Sequence, residues 1–138
     1  MTEERPGTYV FNDRQQVGLG GCQPEDVSLF VATTVVSTAV PGQVVIDAGG
    51  KTLAKDRPAW AAGFGILPAY PDATIVRTYD YHGVVEFPAG ARRPSLGEVV
   101  AVIPNHVCPV VNLADSFLVA SSGTVVDRWP VDARGHSS

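Results

Sequence analysis

The sequence predicts an all-β domain, a distorted antiparallel β-barrel of Greek-key type with at most one or two short helices. Three observations point there. Hydrophobic residues make up 45% of the chain and are mostly valine, whose branched Cβ restricts χ1 and suits a pleated strand better than a helix. The 14 glycines and 11 prolines are spread along the chain rather than clustered, as turn residues between many short strands would be. No stretch sustains a 3.6-residue period, and no internal repeat is visible. A chain of 138 residues fits one domain, 1–138, with room for a real core. The strand spacing predicts about 8 to 10 strands.

Taken in order, residues 8–11 form a short apolar strand closed by the turn formers Asn12 and Asp13. Residues 14–27 have no clear period. Residues 28–40 carry the strongest strand signal, a β-branched run ended by Pro41-Gly42, a favoured type II turn pair. Residues 44–46 resume as its hairpin partner. In Asp47-Ala48-Gly49-Gly50-Lys51 the apolar pattern breaks, and Asp47 with Lys51 reads first as a solvated turn, then as a local ion pair or a substrate contact. Residues 54–72, with Trp60, Phe64 and Tyr70, read as a long connecting loop with one short helix within 54–65; such loops are usually functional. Residues 73–79 and 84–87 flank Tyr81-His82-Gly83 as a second hairpin or bend. Residues 97–104 are a third apolar strand that runs into Asn105-His106-Val107-Cys108-Pro109. Residues 116–120 and 124–129 flank Ser121-Ser122-Gly123, the clearest hairpin of all. Trp60 and Trp129 are expected in the core, and the tail from Asp132 is polar.

Charge excludes several function classes. The net charge is −4, and Arg92-Arg93, the one adjacent basic pair, reads as a solvated loop, so no nucleic-acid partner is expected. No window approaches the roughly 20 apolar residues that span a bilayer, and the N-terminus lacks an apolar signal core. Cys22 and Cys108 lie far apart in the chain, which without a signal peptide implies free thiols, a reducing compartment and a cytoplasmic protein.

The sharpest chemical feature is His106-Val107-Cys108, bracketed by Pro104 and Pro109. If the segment is extended, residues i and i+2 share a face. Imidazole nitrogen and thiolate sulfur then converge on one point and suit a borderline-soft ion such as zinc. Two protein ligands leave the remaining positions open, as in a catalytic rather than a structural site. His-x-Cys also arises by chance, and a cysteine in an apolar strand is usually a small buried hydrophobe.

The words around this pair narrow the choice. Ile103-Pro104-Asn105-His106-Val107-Cys108-Pro109-Val110-Val111-Asn112-Leu113, followed by Trp129-Pro130-Val131-Asp132-Ala133-Arg134-Gly135, resembles the C-terminal β-domain of the D-serine dehydratase/D-threonine aldolase family. Upstream, Arg5-Pro6-Gly7-Thr8-Tyr9-Val10-Phe11-Asn12-Asp13 resembles the passage from that family's barrel into its β-domain. Asp47-Ala48-Gly49-Gly50-Lys51-Thr52-Leu53 resembles its Asp-Ala-Gly motif, and His82-Gly83 its Glu-His-Gly motif, although Tyr81 stands in place of the glutamate. The words occur in family order from Arg5 to Gly135.

The resemblance implies a lyase that uses pyridoxal phosphate and a divalent metal, of the fold type of alanine racemase, acting on D-β-hydroxy amino acids. His106 and Cys108 would hold the metal, Zn2+ or alternatively Mn2+, beside the substrate hydroxyl; the thiolate favours zinc. His82 is then a partner that hydrogen-bonds a metal ligand, a third ligand or a turn histidine, and Gly7 would permit close approach to a cofactor phosphate. The resemblance places the cofactor's lysine in an N-terminal barrel of about 200 residues or more, and Lys51 and Lys55, the chain's two lysines, fall in the wrong motif to replace it. The isolated chain is therefore expected to be inactive, with no catalytic residue of its own. Its expected partner is a barrel in the same or a separate chain, and its expected assembly a homodimer or other self-association. The alternative is a free-standing β-domain that binds metal or a small molecule.

Overall fold

A computed structural model describes residues 3–4 and 6–136. Arg5, assigned above to a cofactor-facing segment, lies outside the described residues. Among the described residues there are seven strands rather than the 8 to 10 expected: β1 (Val31–Ser37), β2 (Gln43–Ile46), β3 (Thr74–Thr78), β4 (Gly83–Glu86), β5 (Val99–Val102), β6 (Ser116–Ser121) and β7 (Thr124–Pro130). Three short α-helices accompany them: α1 (Arg14–Gly18), α2 (Gly50–Leu53) and α3 (Val107–Leu113). Five strands form one antiparallel sheet in the order β3-β4-β2-β1-β5, and β6 pairs with β7 in a separate hairpin.

The strands form where the alternation is cleanest. Along β1, Val31, Thr33 and Val35 point inward while Ala32 and Val36 are exposed, the half-buried pattern of period two. Thr33 can sit on the inner row because its hydroxyl donates to Asp47 Oδ1 at 2.6 Å. The β1–β2 turn uses Gly42 at φ 77°, the left-handed conformation a type II turn needs. The core is Val35, Val44, Ile46, Leu67, Ile75, Val85, Val102 and Val107, all at most 2% exposed.

The expected barrel is not closed among the described residues. Its edges are β3 and β5, and one irregular stretch links them. Phe64 N–H donates to Ile75 O in β3, while Ile66 and Ile103 exchange both backbone hydrogen bonds just beyond β5. Gly65 lies between, at φ 140°, where a Cβ would come 2.9 Å from Ile103 O. Register shifts interrupt the β1–β2 and β3–β4 pairs, the kind of irregularity that bends a strand locally.

Other expectations also change. Residues 8–10 form a 3-10 turn rather than a strand. The helix placed within 54–65 lies just ahead of it, as α2, and three α-helices exceed the one or two expected. Trp60 and Trp129 are each 55% exposed. Trp60 lies over Gly18, where a Cβ would come 2.6 Å from the ring, and Trp129 Nε1 donates to Asp127. The β6–β7 hairpin contacts the body through Phe117, edge-on to Phe11 at 5.7 Å, and β7 is exposed along its whole length. No helix among the described residues is long and apolar enough to cross a membrane.

Tyr70 fastens the loop before β3 to the turn before β5, donating to Glu98 Oε1 at 2.5 Å. That bond, and then the one from Ser95 N–H, lower the Glu98 pKa below its ordinary 4.5. The same bond and burial raise Tyr70 above its ordinary 10.0. Glu98's contribution to stability is therefore present above pH 4.5 and fades as the pH falls through its folded-state pKa. Tyr70's contribution is present below pH 10.0 and fades as the pH rises through its own. Thermal melts of Tyr70→Phe against the parent should show a deficit that shrinks at both extremes. A deficit independent of pH would rule this linkage out.

Candidate functional site

Beyond β5 the chain turns through Pro104-Asn105-His106 and enters α3. His106 is the N-cap of that helix, with extended backbone (φ −139°, ψ 119°), and Cys108 already lies in its first turn. The pleat that would have set His106 and Cys108 on one face of a strand is therefore absent. Two features favour a helix here. The buried Asp13 side chain accepts the Val107 N–H at 2.9 Å from 94 positions away, satisfying a donor that a helix start leaves free. Pro109 falls in the first turn, where its missing N–H costs nothing. Val107 and Val110, one helical turn apart, bury the inner face.

Asp13 serves two helices at once. Its other oxygen accepts the Gln16 N–H at 3.0 Å and caps α1, which is joined to the same corner by Arg14 N–H to Pro104 O and Gln15 N–H to Asn105 O. Asn105 is 1% exposed. Its amide donates to Asp56 O and Gly63 O, both at 2.9 Å, and its carbonyl accepts from Arg14 Nη1 at 3.0 Å. Burial lowers the Arg14 pKa from its ordinary value.

On this frame His106 Nδ1 lies 2.7 Å from Asp56 Oδ2. Cys108 is exposed, with its sulfur 3.6 Å from Thr8 Oγ1. Neither Asp56 nor Thr8 was among the candidate residues of the sequence. Asp56 stands between Lys55 and Arg57 and has the signature of a solvated loop; no local spacing ties it to a residue 50 positions away. His82 is exposed in the turn between β3 and β4, where its carbonyl accepts from Tyr79 N–H. Among the described residues no set of three His, Cys, Asp or Glu side chains converges. Asp47 and Lys51 do not pair. Asp47 accepts from Thr33 and Thr34, the Thr33 bond chiefly lowering its pKa. Lys51 donates to Tyr81 Oη at 3.0 Å, which raises its own, and lies 3.5 Å from Asp80. A separate open groove of about 580 Å³ lies between residues 55–64 and β3, lined by Lys55, Arg57, Arg77, Phe64 and Tyr79 and not by His106 or Cys108.

Residues 28–120 match the family described as "Putative serine dehydratase domain". The chain is 45% identical over 130 residues to "Uncharacterized protein Rv1414" of Mycobacterium tuberculosis, covering 91% of this chain and 98% of that protein. It is 40% identical to the D-threonine aldolase of Arthrobacter sp, covering 99% of this chain but 35% of the enzyme. Among solved structures, the D-threonine aldolase from Filomicrobium marinum superposes with a TM-score of 0.78 at 33% identity, over 97% of this chain and 36% of that one. The D-threo-3-hydroxyaspartate dehydratase from Delftia sp. HT23 does so with a TM-score of 0.73 at 26% identity, over 90% of this chain and 37% of the enzyme. The chain thus spans about a third of the aldolase and dehydratase relatives and nearly all of the mycobacterial one. It belongs to the serine dehydratase domain family that these lyases share.

Proposed function

We propose that this domain is the metal-binding, C-terminal part of a lyase for D-β-hydroxy amino acids, with His106 and Cys108 as its protein ligands. One observation carries the reading. A D-threo-3-hydroxyaspartate dehydratase has been solved with a histidine replaced by alanine, and with a cysteine two positions later replaced by alanine "in the metal-free form". His106 and Cys108 have the same residue types at the same spacing.

The local chemistry fits a metal. With Nδ1 engaged by Asp56, His106 has Nε2 left for a ligand bond, and the Cys108 sulfur is exposed with one weak hydroxyl contact. An imidazole and a thiolate favour zinc over harder ions such as manganese. When bound, such a metal supplies Lewis acidity toward the oxygen of a substrate hydroxyl. The protein's part is to hold the two donors on a corner locked by Asp13 and Asn105. The chain's two lysines serve other contacts: Lys51 donates to Tyr81 and lies near Asp80, and Lys55 lines the open groove that does not include His106 or Cys108. In this reading the cofactor sits on a barrel, in the same or a partner chain, and this domain alone has no lyase activity.

A second reading, a free-standing metal or small-molecule binding module, is favoured by the mycobacterial relative matched along 98% of its length. Elemental mass spectrometry tests the site common to both. The purified chain should carry close to one equivalent of zinc, lost in His106→Ala and Cys108→Ala. A parent chain without metal after incubation in excess zinc would remove the metal site. Separating the readings requires a barrel: lyase activity on mixing with a pyridoxal phosphate-loaded barrel supports the enzyme part, and its absence the module.

A further inference from the structure

The contact between Asp56 and His106 extends this reading. The carboxylate oxygen lies 2.7 Å from Nδ1, with the His106 side chain 35% and that of Asp56 46% exposed. Such a bond, left free in solvent, contributes little, yet here both ends are held. The Asp56 carbonyl accepts from the amide of Asn105, the residue next to His106. Two residues before Asp56, the buried Ala54 turns the chain at φ 61°, a conformation that residues with a Cβ adopt only where surrounding contacts impose it. At the other end the His106 backbone is fixed as the N-cap of α3, and the following N–H is bound by Asp13.

We propose that Asp56 is a positioning residue that keeps His106 in the Nδ1–H tautomer and turns its Nε2 lone pair outward as the ligand atom. Neutral imidazole in water favours the opposite tautomer, with the proton on Nε2, which would leave no lone pair at the outward nitrogen. A carboxylate that accepts the Nδ1–H reverses that preference. The role in metal affinity rests on the reading proposed above, whereas the choice of tautomer does not.

Nitrogen-15 NMR of the imidazole in the full metal-free chain, at a pH where the ring is neutral, tests the tautomer directly. Zinc titration tests the affinity. The parent should show Nδ1–H at His106 and Asp56→Ala the Nε2–H form, with zinc affinity lower by about 10- to 100-fold. Asp56→Asn, whose amide oxygen can still accept the Nδ1–H, should keep the parental tautomer and recover much of the affinity. A purely structural role would not distinguish Asn from Ala in this way, and matched melting temperatures would confirm that both variants fold. If the parent already holds Nε2–H, or Asp56→Ala keeps both tautomer and affinity, the proposal is overturned. If the parent takes up no zinc, the metal reading falls while the tautomer measurement still decides the role of Asp56.

Discussion

Replacing Asn105 by alanine is expected to destabilise the domain by about 2–4 kcal/mol, since each buried polar group left without a partner costs about 1–3 kcal/mol. The side chain is 1% exposed and uses both ends: two donated bonds to the carbonyls of Asp56 and Gly63, one accepted from Arg14. Alanine leaves the buried Gly63 carbonyl with no donor from this side chain and removes an acceptor from a half-buried guanidinium. Asn105→Asp should do at least as much harm. It keeps an acceptor for Arg14 but turns oxygen toward two carbonyl oxygens. Urea unfolding of the parent and both variants provides the measurement. A loss below about 1 kcal/mol in the alanine variant, within the range of an ordinary surface change, would show that the corner does not depend on this amide. The loosened Asp56 backbone should also weaken the His106 contact, so metal uptake is expected to fall along with stability.

Asp13→Ala should be similarly costly, about 2–4 kcal/mol, because one side chain supplies the caps of two helices and a lost cap alone costs about 0.5–2 kcal/mol. The fully buried carboxyl group accepts from Gln16 N–H with one oxygen and from Val107 N–H with the other. Asp13→Asn retains one acceptor and should lose only part of that stability. The difference between the two variants therefore reports whether both oxygens are used. Amide hydrogen exchange adds a local readout. The Gln16 and Val107 amides should lose protection together in Asp13→Ala, and unchanged protection at Val107 would disprove the cap on α3. Since His106 is the N-cap of α3 and Cys108 lies in its first turn, loss of this cap should also disturb the candidate ligands without touching either one.

Much of the sheet was legible because its strands advertise themselves. The β-branched runs within 28–40 and 97–104 contain β1 and β5, and Pro41-Gly42 and Ser122-Gly123 sit at the turns their chemistry predicts. The helix at the candidate site was not legible. α3 spans 7 residues, too few to display a helical period, and its first N–H is satisfied by a side chain 94 positions away. Trp60 and Trp129 followed the general preference of large aromatics for burial, but one covers a glycine on α1 and the other lies on an exposed hairpin.

The sequence by itself determined the mostly-β character, the family, and the identity of His106 and Cys108 as the candidate donors, because composition, turn chemistry and ordered motifs are local properties of the chain. Only the tertiary structure decided how those donors are presented. An imidazole's tautomer and a helix's start depend on the group opposite each polar atom. Here those groups are Asp56 and Asp13, brought to the corner by contacts that span 50 and 94 residues. No spacing along the chain encodes such pairings; they follow from where the folded sheet sets down its loops.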